Sequence, residues 1–105
     1  MALASQPAVA QSAQPNAMML AQTNDRCMTT YAVRMTKTEA TDEAIFASAV
    51  EGCKDLKGQL YAALDKEYAA AQASELKAQL DTQAKPNFLN LLKKIRTDRA
   101  QRVGH

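Results

Sequence analysis

The chain has no tryptophan, three glycines, three prolines and one histidine, His105, at its last position. So few turn residues leave no room for the many reversals of a small β-barrel or sandwich. Gly52, Gly58 and Gly104 stand alone, so no glycine-rich loop cradles a phosphate. With its single imidazole at a terminus, the chain lacks a credible general base for hydrolytic or transfer chemistry. No apolar run approaches the roughly 20 residues that cross a bilayer. Aromatics are 5% of the residues and follow no DNA- or RNA-reading pattern, which argues against a nucleic-acid partner. These gaps predict a protein that is not an enzyme and carries no cofactor.

Metal binding is poorly served too. Cys27 and Cys53 form no C-x-x-C and have no histidine nearby, as a zinc site requires. The thioethers of Met18, Met19, Met28 and Met35 suit Cu(I) in principle. They show no repeated spacing, and Met28 and Met35 fit a helix interface better. The expected metal content is none.

What is present favours helix. Of 105 residues, 47% are hydrophobic, 23% are charged and 21 are alanine, with leucine, lysine, glutamate and glutamine recurring. The expected fold is all-α: a small antiparallel helical hairpin or three-helix bundle over 23–105, with helices at about 23–36, 41–84 and 87–102. Leu20, Cys27, Met28, Tyr31 and Met35 share about 100° of arc on the first helix. Ile45, Phe46, Ala49, Val50, Cys53, Leu56, Leu60, Tyr61, Leu64 and Tyr68 share about 160° on the second. Leu76 and Leu80 fall out of that phase, so the alanine-rich run 69–74 marks a change of partner, a supercoil or a break. One continuous second helix is the favoured reading. Lys85-Pro86-Asn87 is expected to end it.

The first charged side chain is Asp25, and residues 1–22 read as a flexible lead-in. Ala8-Val9-Ala10 before Gln11 matches a signal-peptidase site, without the basic start and apolar run of a complete signal. The favoured reading is the remnant of a signal peptide in a longer precursor; the competing one is an Ala/Gln-rich tail. Export is consistent with an even number of cysteines. Cys27 lies eight residues before Met35, and Cys53 eleven after Asp42. In an antiparallel hairpin those distances bring both to the same level within about one turn, on facing apolar arcs. A Cys27–Cys53 disulfide and a periplasmic or secreted location are therefore expected.

Charge is unevenly spread. Residues 1–84 hold seven Lys/Arg against ten Asp/Glu, whereas 85–105 hold six against Asp98 alone. Either this basic end meets an anionic partner, or it packs on the acidic second helix of its own chain. The favoured function is a non-enzymatic exported interaction protein, a small subunit, inhibitor or chaperone-like binder of another envelope protein. Its expected contact residues are Phe88, Leu92, Ile95, Arg96, Arg99 and Arg102. The alternative is a peripheral binder of an anionic membrane or envelope polymer through the same helix. A third reading is a cytosolic thiol switch in which Cys27 and Cys53 oxidise reversibly.

Overall fold

The computed structural model describes residues 16–103, so Ala8-Val9-Ala10 and His105 lie outside it. The described chain is all-α, with α1 Ala17–Met35, α2 Asp42–Gly52, α3 Lys54–Glu67 and α4 Ala70–Val103.

Helix α1 starts six residues earlier than its sequence pattern predicts, because its first turn is capped twice. Asn16 Oδ1 accepts the Met19 N–H at 2.9 Å, and the Glu67 carboxylate accepts the Ala17 N–H at 2.8 Å. Both acceptors satisfy donors that no helix can satisfy internally, at the end where negative charge is favoured. Residues 17–22 are thus not part of a lead-in. Ala17 and Leu20 are buried against Leu60, Leu64 and Ala73.

A second cluster lies at the other end of α1, where Ala32 packs with Ile45, Ala49, Phe88 and Leu92. Contacts between α1 and the following two helices therefore run in reverse order. Ala32 meets Ile45 and Ala49, Cys27 meets Cys53, and Leu20 meets Leu60 and Leu64. The Thr36–Thr41 connector makes that reversal, and Thr41 caps α2 by accepting the Ala44 N–H at 3.1 Å.

The expected helix 41–84 is interrupted twice. At Cys53 (φ −108°, ψ 12°) the backbone leaves helical geometry for one residue. Helical hydrogen bonds still span it, the Cys53 N–H donating to the Ala49 carbonyl and the Lys57 N–H to the Cys53 carbonyl. Gly52 sits beside this joint, and the Tyr31 ring occupies the space that a Cβ there would take. Tyr68 then turns fully extended (φ −126°, ψ 156°), and α4 folds back along α3. Leu76 packs on the same cluster as Leu64, which a single rod could not achieve. The phase slip at Leu76 and Leu80 therefore marks a break and a new stripe.

That stripe runs through Ala73, Leu76, Leu80, Ala84, Phe88, Leu92 and Ile95, and Pro86 does not end it. Pro86 lies on the exposed side of α4. An interior proline costs about 3 kcal/mol, whereas burying side chains such as Phe88 and Leu92 returns about 1.5–3 kcal/mol each. Packing wins. The 34 residues of α4 span about 51 Å. They stretch the molecule to 59 × 36 × 19 Å with a radius of gyration of 17.7 Å, beyond the ~13 Å of a compact domain of about 100 residues.

Cys27 and Cys53 are joined, with Cα atoms 6.0 Å apart and a sequence separation of 26. Closing such a loop stabilises the folded state by about 3–4 kcal/mol on chain-entropy grounds. Cys27→Ser combined with Cys53→Ser should lower the urea-unfolding free energy by that amount, and reductant should reproduce the loss in the natural chain. A second pair of variants separates the glycines. Nothing lies within 4 Å of a Cβ placed at Gly58, so Gly58→Ala should stabilise by about 0.5–1 kcal/mol. Gly52→Ala must displace Tyr31 and should lower the melting temperature.

Candidate binding groove

The two apolar clusters sit at opposite ends of α1, and α4 touches both. Between them, at the level of the disulfide, the helices part to leave a groove of about 430 Å³. Its buried lining is Cys53, Leu60 and Phe88. Helix α1 contributes Asn24, Asp25 and Met28, while α4 contributes Leu80, Ala84 and Leu91. Val50 on α2 and Leu80 remain 39% and 40% exposed, although both are large and apolar. Apolar walls with a few polar groups, in a volume of this order, are the usual makings of a binding site.

Tyr61 stands at one side of the groove as a strut between α3 and α4. Its hydroxyl donates to Asp81, which also holds the Lys57 ammonium at 3.0 Å. The ammonium groups of Lys57 and Lys77 lie 5.3 and 5.7 Å from the centre of the Tyr61 ring. Lys77 is in turn held by Asp65 at 2.7 Å. Burial, and then the Asp81 hydrogen bond, push the Tyr61 hydroxyl well above its ordinary value. It is a fixed donor at neutral pH and no base. The same hydrogen bond, with help from Lys57, holds the Asp81 carboxyl below the usual carboxylate range. Its contribution is therefore present above the unfolded pKa of aspartate and fades as pH falls through the lowered value.

Asn24 and Asp25 have the opposite character. Asn24 Oδ1 is buried without a hydrogen-bond partner, and an acceptor left so costs about 1–3 kcal/mol. Asp25 makes no ion pair among the described residues, and burial pushes its carboxyl above the usual range. A raised carboxyl favours folding below the unfolded pKa and loses that advantage as pH rises through the raised value. Asp25 lies on the exposed side of α1 and pairs with no cation among the described residues.

The residues expected to meet a partner are placed differently from the expectation. Phe88 and Leu92 are 5% and 0% exposed and belong to the chain's own core, with Ile95 packed against them. The Phe46 and Phe88 rings meet with centroids 5.5 Å apart. Arg96 pairs with Asp42 on the first turn of α2. Arg99 donates to Thr36 Oγ1 at 2.9 Å and to the Val33 carbonyl at 3.4 Å, at the negative end of α1. Lys85 pairs with Glu43 at 2.8 Å. Arg102 alone of the six is exposed without a partner among the described residues. The inward-facing arginines follow from the stripe on α4: Arg99 continues the line of Phe88, Leu92 and Ile95 to the point where α1 ends.

The sequence pattern marked Leu80 as out of phase but not as one wall of a groove. Val50 lay inside a broad apolar arc, and nothing local distinguished Asn24 and Asp25 from any helix start. Only the return of α4 along α1 and α3 brings these residues together. Comparison of the chain with protein families, with curated proteins and with solved structures finds no match.

Tyr61→Phe tests the strut. It should raise the Asp81 pKa toward the ordinary carboxylate value, read by side-chain carboxyl NMR titration, with little change in the helical circular dichroism. An unmoved Asp81 titration would show that Lys57 alone holds it down.

Proposed function

We propose that this chain is a non-enzymatic, exported helical interaction protein that takes an apolar segment of another protein in its groove. In this reading α1 and the α2–α3 pair form an antiparallel hairpin, and α4 lies along both as a third rod. The disulfide suits an oxidising compartment such as the periplasm or the cell exterior, and among the described residues no helix is long and apolar enough to cross a membrane. A small subunit, an inhibitor and a chaperone-like binder all share this mode of action.

The observation that carries the proposal is the apolar wall that Val50 and Leu80 leave exposed beside buried Cys53, Leu60 and Phe88 in one groove. The basic end of α4 gives the membrane or polymer reading less support. Three of the basic side chains there, Lys85, Arg96 and Arg99, are held by groups of this same chain. Lys94 pairs locally with Asp98 at 3.6 Å. The outward charge at this end that no printed partner offsets is thus reduced to Lys93 and Arg102 among the described residues.

A photo-crosslinking amino acid placed at Val50 or Leu80 checks the assignment in the native compartment. It should capture one protein in defined stoichiometry, whereas the same group at exposed Gln101 should not. Equal capture at all three positions would defeat the groove as the contact surface.

A further inference from the structure

Cys53 holds three places at once. It is half of the disulfide, it is the joint at which α2 gives way to α3, and it is a buried part of the groove lining. The lining on that side includes Val50 on α2, the joint itself, and Lys57 and Leu60 on α3. A change of angle at Cys53 therefore moves Val50 against Leu60 and reshapes the groove. Little separates this joint from an unbroken helix. The Cys53 N–H donates to the Ala49 carbonyl at 2.9 Å and the Lys57 N–H to the Cys53 carbonyl at 3.1 Å, both in the helical pattern. Between 42 and 67 only Cys53 departs from helix, and no proline lies in that stretch. From α1 the joint is gripped at two points one turn apart. Cys27 is bonded to Cys53, and the Tyr31 ring fills the space beside Gly52. The ring is a packing contact, whereas the sulfur bond exists only in the oxidised chain.

We propose that the Cys27–Cys53 bond makes the groove, so that the chain acquires its binding site only where its sulfurs are oxidised. In the reduced chain Cys53 returns to helical torsions, and α2 and α3 join as one helix over residues 42–67. An unbroken helix is favoured there because it completes the backbone bonds that the bend interrupts. The wall from Val50 to Leu60 then loses the bend that shapes the recess. Oxidation restores it. The thiolate of one cysteine attacks a sulfur of an oxidised protein disulfide, and the other cysteine displaces that carrier from the mixed disulfide. Two electrons and two protons pass to the carrier, which leaves as a dithiol. The chain thus takes no guest in a reducing cytosol and becomes competent in an oxidising compartment. This gating rests on the groove's being a binding site for a protein segment; the bend at Cys53 does not.

Cys27→Ala in the full chain tests this, since it cuts the cross-link and leaves Cys53, Gly52 and Tyr31 as they are. Nuclear magnetic resonance reads the bend through the scalar coupling between the Cys53 amide and α protons, large at φ −108° and small in a helix. The coupling should be large in the disulfide-bonded chain and fall to the helical value in Cys27→Ala kept reduced. A photo-crosslinking amino acid at Val50 reads the groove in the native compartment. Capture by the disulfide-bonded chain should be lost in Cys27→Ala. A coupling still large in the folded variant would overturn the proposal and leave the groove reading standing, with the bend held by packing alone. Undiminished capture alongside a reduced coupling would overturn the gating. No capture by the disulfide-bonded chain would defeat the groove reading and the gating with it, while the coupling would still decide the bend. Should Cys27→Ala fail to fold in buffer, the coupling is read in trimethylamine N-oxide, which favours the compact state. A chain unfolded even there would overturn the straightened helix.

Discussion

The contact of α1 with the α2–α3 pair, clamped at mid-height by Cys27–Cys53, is the constraint on which the rest of the molecule hangs. Neither apolar cluster is large: one is built on Ala17, Leu20, Leu60, Leu64 and Ala73, the other on Ala32, Ile45, Ala49, Phe88 and Leu92. Cores this small stabilise weakly against the entropy of ordering the chain. The disulfide removes part of that entropy from the unfolded state and holds the two clusters at a set separation. Cys53 is also the joint between α2 and α3, so the cross-link anchors the position at which the backbone departs from a straight helix.

Helix α4 ties the two ends together. It meets one cluster through Ala73 and Leu76 and the other through Phe88, Leu92 and Ile95. Its middle, around Leu80, lies between these attachments, and the groove opens there. A long helix held at both ends and left uncovered at the centre thus produces an apolar recess without any strained backbone. Among the described residues no peptide is cis and no φ is positive.

The charge asymmetry finds much of its resolution inside the chain. Asp42 and Glu43 favour the first turn of α2 because the helix presents a positive end there. Those same carboxylates receive Arg96 and Lys85 from α4. Arg99 reaches the carbonyl end of α1. These pairs are largely solvent-exposed, and exposed pairs add little stability each. The rotation of α4 about its axis is set by its buried stripe of Ala73, Phe88 and Leu92, and the ion pairs form where that rotation brings the charges together. Tyr61 and Asp81 link α3 and α4 at the other end of the recess.

Helical class, the apolar arc of α1 and the Cys27–Cys53 pairing were all legible in the residues, because each depends on spacing along one helix or across one short connector. The breaks at Cys53 and Tyr68, the passage of α4 through Pro86 and the early start of α1 were not. Each is decided by groups distant in sequence: Tyr31 against Gly52, Leu76 returning to Leu64, Phe88 and Leu92 beyond the proline, and Glu67 at the Ala17 N–H. The inward placement of Phe88 and Leu92 belongs with them, since periodicity shows that two residues share a face but not what covers it. Local periodicity and helix propensity act within a few turns and are written in the sequence. Which face meets which, and where a gap is left between them, is settled only when all four helices compete for the same buried surface.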